Sequence, residues 1–233
     1  NKGLLINGGG HKMAAGFKIS KDKYDSFVNF FDNKLAIYDS SYFHRISYYD
    51  LVLTLNEINL DLLENIQSGS ATKRWQSAFE LSNMLDESKI ENKFLFNSKL
   101  VALYEKSIHD DSRVRTYLAL AMGKTKDKGF GIHLLNGLKE DQDLTNRIAA
   151  IKSLGMLKYN EGCATLQNII MNSAVDSEKL AAIISLGVIG DIKYKDVLID
   201  MLDYEEPNIR WDSALALAKM KDDSGAFIIE NLL

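Results

Sequence analysis

Residues 8–17 read Gly8-Gly9-Gly10-His11-Lys12-Met13-Ala14-Ala15-Gly16-Phe17, and they are the part of this chain best suited to hold a phosphate. Three glycines leave the backbone bare, so successive N–H groups can close around an anion with no Cβ in the way. His11 adds a ring N–H donor and Lys12 a positive charge beside it. Ala14, Ala15 and Gly16 keep the next segment slim enough to lie against something large. Together they fit a phosphate on a nucleic-acid strand. The bland alternative for any glycine run is an ordinary turn.

Other side chains do not assemble into a reactive centre. The histidines (His11, His44, His109 and His133) are scattered and none sits at metal-ligand spacing. Cys163 is the one cysteine, which excludes an internal disulfide and a cysteine zinc site. A lone cysteine fits a reducing cytosol, and a cytoplasmic location is expected. No apolar run approaches ~18 residues, so no membrane span or membrane partner is expected. The formal net charge is −4, whereas proteins that coat DNA are basic because phosphate neutralisation supplies most of their affinity. Only a weak, local contact with a single strand is compatible with that balance.

With its flanks, the glycine run resembles a known family. Asn7 to Phe17, then Lys18-Ile19-Ser20 and an amphipathic stretch to Leu35, resemble the end of the DHHA1 domain of the RecJ family. These are single-strand DNA exonucleases of the DHH phosphoesterase superfamily. Tyr49–Leu55 and Glu57–Glu64 resemble the segment that follows DHHA1 and leads into an OB-like domain. The resemblance covers roughly the first quarter of the chain and stops near Ile66. It implies that Gly8, Gly9, Gly10 and His11 contact the phosphate, and that Ala14, Ala15 and Gly16 let the strand pass close by, while Lys12 supplies charge to the nucleic-acid site. In that family Asp and His residues of a separate DHH domain hold Mg or Mn ions that activate water. No Asp-His-His string occurs here, so no cofactor and no catalytic residue is expected in this chain. It begins at Asn1, just before the motif, and reads as the tail of a longer protein, a fragment of a metal-dependent 5′-to-3′ exonuclease.

From about residue 70 the sequence repeats itself. Arg74, Arg115, Arg147, Lys179 and Arg210 each open a similar stretch, and they lie 41, 32, 32 and 31 residues apart. A recurrence of this length with helical patterning marks a solenoid. Four and seven residues after each basic residue the chain is apolar: Ala78/Leu81, Ala119/Met122, Ile151/Leu154, Ile183/Leu186 and Ala214/Leu217. These positions share one helix face. Eight residues on stands a small residue, Ser82, Gly123, Gly155, Gly187 or Ala218, where a neighbouring helix can pack close. The spacing predicts helices near 72–85, 112–124, 145–156, 177–188 and 207–219, with partner helices from the shorter apolar runs between them. Pro207 suits a first helical turn. The acidic residues Asp111, Asp143, Asp176 and Glu206 precede the basic ones; helix capping and ion pairs between repeats explain them better than catalysis. Phe94 and Phe96 are expected to fold back over the first repeat, and Trp75 and Trp211, one place after their basic residues, to pack at the flank of the core.

The pattern resembles HEAT repeats of the short type also found in phycobilisome-lyase-like proteins, an armadillo-like helical architecture. The expected organisation is therefore mainly α. Residues 1–38 form the C-terminal part of a DHHA1-like domain, and the α/β fragment as a whole has strands near Met13–Ile19 and Tyr49–Thr54 and a helix near Lys23–Leu35. Residues 39–66 connect it to an α-α superhelix over 67–233. The expected job is binding without catalysis: single-stranded DNA at the glycine loop and a protein partner on the solenoid. Two other readings stay open, a HEAT-repeat adaptor with no DNA role and a bilin-lyase-like chaperone.

Overall fold

The computed structural model describes residues 6–11, 14–36, 55–85, 90 and 92–230. The chain divides into two compact units, Asn1–Val52 and Leu53–Leu233.

In the first unit β1 (Asn7–His11) pairs antiparallel with β2 (Ala14–Lys18), with Gly9 opposite Gly16 and His11 opposite Ala14. The expected strand at Met13–Ile19 is β2. The glycine run, expected as a loop, is itself a strand. Glycine carries no side chain to announce a strand, and here the pairing partner decides. Helix α1 (Tyr24–Leu35) matches the expected helix, and none of its described residues is fully buried. The strand expected near Tyr49–Thr54 lies outside the described residues.

The second unit is a stack of helix pairs. It opens with α2 (Leu55–Ser68), placed by sequence in the connecting segment, which packs on α3 (Ala71–Met84). Its Leu62, Leu63 and Ile66 are buried, at a spacing that puts all three on one helix face. The pairs continue with α4 (Lys93–Lys106) and α5 (Ser112–Lys124), α6 (Gly131–Glu140) and α7 (Leu144–Met156), and α8 (Cys163–Asn172) and α9 (Asp176–Ile189). Last come α10 (Lys195–Asp200), α11 (Pro207–Lys219) and α12 (Ala226–Glu230). α3, α5, α7, α9 and α11 lie side by side as a first layer, and α4, α6, α8, α10 and α12 cover one side of it. The first-layer helices coincide with the five expected from the repeat.

The small residues hold the first layer close. A Cβ on Gly155 would stand 2.9 Å from the Cα of Ser185, and one on Gly187 would stand 2.7 Å from the Cα of Ala216. Ser153 Oγ donates to the Ala119 carbonyl at 2.7 Å, and Ser185 Oγ to that of Ile151 at 3.0 Å. Each serine thus sits in a notch of the preceding helix and satisfies its own hydroxyl there. The second-layer helices touch one another only lightly. A stack whose one layer is tight and whose other is loose curves toward the tight layer, so the outer face of α3, α5, α7, α9 and α11 is the concave one.

The first three leading basic residues each tie three elements together. Arg115 donates through Nη1 to the Tyr104 carbonyl at 2.6 Å and through Nε to Asp141 at 2.5 Å, with its guanidinium 4.2 Å from the centre of the Tyr104 ring. Arg147 reaches the Leu138 carbonyl at 2.6 Å and Glu178 at 2.5 Å. Arg74 reaches the Gly69 carbonyl at 3.1 Å and Asp110 at 2.7 Å. Lys179 and Arg210 keep the carbonyl contact, to Ile170 at 2.7 Å and Tyr204 at 2.8 Å. The expected capping is present at Asp111, Asp143 and Glu206, whose carboxylates accept from the first turns of α5, α7 and α11. Asp176 does not cap; it accepts from the Tyr204 hydroxyl at 3.1 Å. The ion pairs that the leading arginines make between repeats belong to Asp110, Asp141 and Glu178 instead. Capping needs a carboxylate at the helix start, whereas the inter-repeat bond needs one that faces the preceding helix. Pro207 is in the first turn of α11 as expected. Phe96 is buried in α4, but Phe94 is exposed rather than folded back.

Two outcomes are expected. Ile183 is fully buried and its neighbour Ile184 is exposed. Ile183→Asp should cost of order 3–5 kcal/mol and Ile184→Asp within about 0.5 kcal/mol, read from urea unfolding; equal losses would place the wrong face inward. The second concerns acid. The Asp222 carboxyl is held well below its usual range by hydrogen bonds from Lys195 and Ser224, and the Asp111 carboxyl is lowered by its hydrogen bond from Arg113. A carboxylate held down in the folded chain adds stability above the unfolded value near 4 and loses it as pH falls through the folded value. The melting temperature should therefore drop below about pH 4, and Asp222→Asn should make that drop shallower.

Candidate functional site

The residues first singled out lie on the hairpin of the first unit. Gly8, Gly9, Gly10 and His11 are on β1 and Ala14, Ala15 and Gly16 on β2, while Lys12 falls outside the described residues. In an antiparallel pair successive N–H groups point to opposite edges of the strand. The glycines therefore do not converge on one point as an anion nest requires. What β1 offers is alternate N–H groups along an edge.

The second unit carries a different feature, visible only once the helices are stacked. The positions one and five after each leading basic residue face away from the second layer. They hold Trp75 and Phe79 on α3, Thr116 and Leu120 on α5, Ile148 and Lys152 on α7, Leu180 and Ile184 on α9, and Trp211 and Leu215 on α11. Phe79 is 43 % exposed, Ile184 38 %, Trp211 39 % and Leu215 48 %. Tyr117, two places after Arg115, meets Phe79 edge-on at 5.1 Å between ring centres, so aromatic side chains of α3 and α5 touch on this side. Met156 and Val188 extend the row on α7 and α9. An apolar row, or ridge, thus runs along the concave side, exposed at Phe79, Met156, Ile184, Trp211 and Leu215 and half-buried at Leu120, Ile148 and Leu180. Contiguous apolar surface of this kind marks interaction sites, whereas isolated exposed apolar residues such as Met171 or Ile192 are ordinary.

Charges punctuate the ridge. Arg113 lies 4.3 Å above the Trp75 ring and pairs with Asp111 at 2.6 Å. Lys124 donates to the Ser82 carbonyl. Lys152 is exposed, and Asp212 is half-buried with its carboxyl pushed up by burial. Of the tryptophans, Trp75 packs at the flank of the core as expected, whereas Trp211 is turned outward.

Reactive groups are poorly placed elsewhere. The Cys163 thiol is buried and pushed up to about 11 by that burial, so it stays protonated and unreactive. A cleft of about 600 Å³ between α4 and α6 is lined by Phe94, Val101, Phe130 and His133. His133 Nδ1 is 2.8 Å from Glu105 Oε1, yet the hydroxyl that shares the cleft, on Ser98, donates to its own helix at the Phe94 carbonyl. Among the described residues no group of three or more His, Cys, Asp or Glu side chains could hold a metal ion. Among them no helix is long and apolar enough to cross a membrane.

Comparison with known proteins bears on the fold. No protein-family model and no curated protein matches the chain, so the DHHA1 resemblance of residues 1–66 gains no support. Solved structures do match. One is the complex of CpcE and CpcF of phycocyanin lyase from Nostoc sp. PCC7120, at 18 % identity over 81 % of this chain and 74 % of that chain, with a TM-score of 0.62. Another is an engineered protein at 15 % identity, over 77 % of this chain and 90 % of that chain, with a TM-score of 0.51. The helical unit is a HEAT-like α-solenoid. The resemblance to short HEAT repeats drawn from residues 70–233 therefore holds for the fold.

Sequence reasoning found Trp75 and Trp211 but not the ridge. Phe79, Ile184 and Leu215 were hidden because an apolar residue inside an apolar helix reads as core. The signal available was the fifth position after each basic residue, which is apolar in four copies and lysine in the third; a residue type that tolerates lysine in one copy faces outward. The difference between the two indoles is measurable. In Trp75→Phe, emission from Trp211 should be quenched by acrylamide more strongly than emission from Trp75 in Trp211→Phe. Equal quenching would mean that Trp211 is covered.

Proposed function

We propose that the helical unit is a protein-docking scaffold and that its concave apolar ridge is the docking face. The observation that carries this reading is that Phe79, Ile184, Trp211 and Leu215, all at these two positions, are exposed, with Leu120, Ile148 and Leu180 half-buried between them. Burying such a ridge releases ordered water at about 25 cal/mol per Å² of apolar area, and Trp211, Phe79 and Tyr117 are of the types that dominate binding energy at interfaces. A concave face also meets more of a convex partner than a flat one does. The matched CpcE–CpcF structure is a complex of two proteins, which is in keeping with a partner-binding role for a solenoid of this shape.

A bilin-lyase-like chaperone is a narrower form of the same reading, favoured by likeness of fold alone. Single-stranded DNA binding by Gly8–Gly16 and an origin in a RecJ-like exonuclease have no such support. An apolar ridge is also the wrong chemistry for a phosphate backbone, whose recognition needs neutralising cations.

Photo-crosslinking amino acids placed at Phe79, Ile184 and Leu215, one at a time, test the docking face in the native host. These positions should yield the same crosslinked partner, a control at Met171 on the second layer should not, and Trp211→Asp should remove the product. Crosslinking from Met171 alone, or products indifferent to Trp211→Asp, would move the docking face elsewhere.

A further inference from the structure

Two charges on the ridge are unanswered. Lys152 is exposed in its middle, with Ile148 and Met156 one helical turn to either side and Leu120 and Ile184 at the matching positions of α5 and α9. Among the described residues its ammonium has no hydrogen-bond or ion-pair partner. Asp212 lies on α11 at the position that Tyr117 occupies on α5. Tyr117 leans on Phe79 of the preceding helix, and the equivalent position on α11 is the one that faces α9. Asp212 too lacks a hydrogen-bond or ion-pair partner among the described residues, although it is half-buried and its carboxyl is pushed up by burial, with Lys219 acting in the opposite sense from a distance. A desolvated carboxylate without a partner is costly, and a ligand that brings a cation to it recovers that cost.

Several occupants fail on shape or chemistry. A second copy of this chain would press one concave face against another. An extended peptide would leave its backbone N–H and C=O groups facing side chains rather than a sheet edge. Nucleic acid would meet apolar side chains and a free carboxylate. An α-helix satisfies its own backbone, is convex, and lays an apolar stripe into a groove of this kind.

We propose, resting on the docking reading above, that the ridge binds an amphipathic helix of a partner protein whose apolar face carries one carboxylate and one cation about 11 residues apart, the carboxylate opposite Lys152 and the cation opposite Asp212. The spacing follows from the stack. Lys152 and Asp212 are two helices apart, about 16–20 Å at ordinary helix separations. A helix rises about 1.5 Å per residue, and its eleventh residue returns to nearly the same face after three turns. The apolar ridge supplies affinity. The two charges fix the direction of the bound helix and exclude one whose charges run the other way.

The probe is a displayed library of 20-residue amphipathic helices in which two positions of the apolar face, 11 residues apart, are randomised, selected on the full chain. Enriched peptides should carry one acidic and one basic residue at those positions. Lys152→Glu should weaken a selected peptide about tenfold, and the same peptide with its acidic residue changed to lysine should recover on Lys152→Glu while losing on the native chain. Asp212→Lys should behave in the mirror sense. Lys152 is exposed and Asp212 is only half-buried, so the circular dichroism of these variants should match the native chain. Enriched peptides that lack the charge pair, or a reversal that fails to restore binding, would overturn the pairing. If those peptides are still lost on Leu215→Asp, the docking reading stands without it. Peptides indifferent to Leu215→Asp, or no enrichment at all, would overturn both.

Discussion

The stack depends on a basic side chain that is asked to do two things at once. The C-terminal carbonyls of a helix have no partner within it, and in a solenoid those ends are covered by the next helix rather than by water. Arg115, Arg147 and Lys179 each reach back to such a carbonyl, at Tyr104, Leu138 and Ile170. The same arginines reach forward to a carboxylate at the start of the next repeat. A buried pair such as Arg115 with Asp141 gains little over apolar packing, but removing one member strands the other at a cost of about 3–5 kcal/mol. The pair therefore acts on register more than on total stability. It couples each repeat to the next at one fixed offset.

With that offset set, the small residues can do their work. Ser153 and Ser185 enter the notches of the helix before them only if the register is right, and Gly123 and Gly155 admit them because they lack a Cβ. Close approach in one layer and loose contact in the other produces curvature. Curvature gathers residues from five helices onto one concave face, including Trp75, Phe79, Ile184, Trp211 and Leu215. The core departs from economy at Ser213, whose buried hydroxyl has no hydrogen-bond partner among the described residues. It occupies the position that Ala150 and Ala182 fill in the preceding repeats.

Much of the solenoid was legible from the chain. The first-layer helices, the partner helices, the caps at Asp111 and Asp143 and the turn at Pro207 follow from residue types at a fixed recurrence. Three features were not. Helix α2 was read as a connection because its residues resemble the segment that follows DHHA1, and only its packing on α3 reveals Leu62, Leu63 and Ile66 as core. The glycine run was read as a phosphate loop, whereas its backbone is a paired strand. The inter-repeat carboxylates were assigned to the capping residues, and the structure gives that role to Asp110, Asp141 and Glu178.

These differences share one physical cause. Helix formation, capping and the choice of buried face are governed by contacts within a few residues, so composition at fixed spacing decides them. Thus Arg147, Ile151, Leu154 and Gly155 define a helix and its inward face by themselves. Which carboxylate meets which arginine, how sharply the layers curve, and which apolar residues are left facing outward depend on the distance between helices that are some 30 residues apart. That distance is set jointly by Gly155 against Ser185 and by Arg147 against Glu178. Hence Ile183 and Ile184, adjacent and chemically identical, end on opposite sides of the same helix, one sealed in the core and one on the concave ridge.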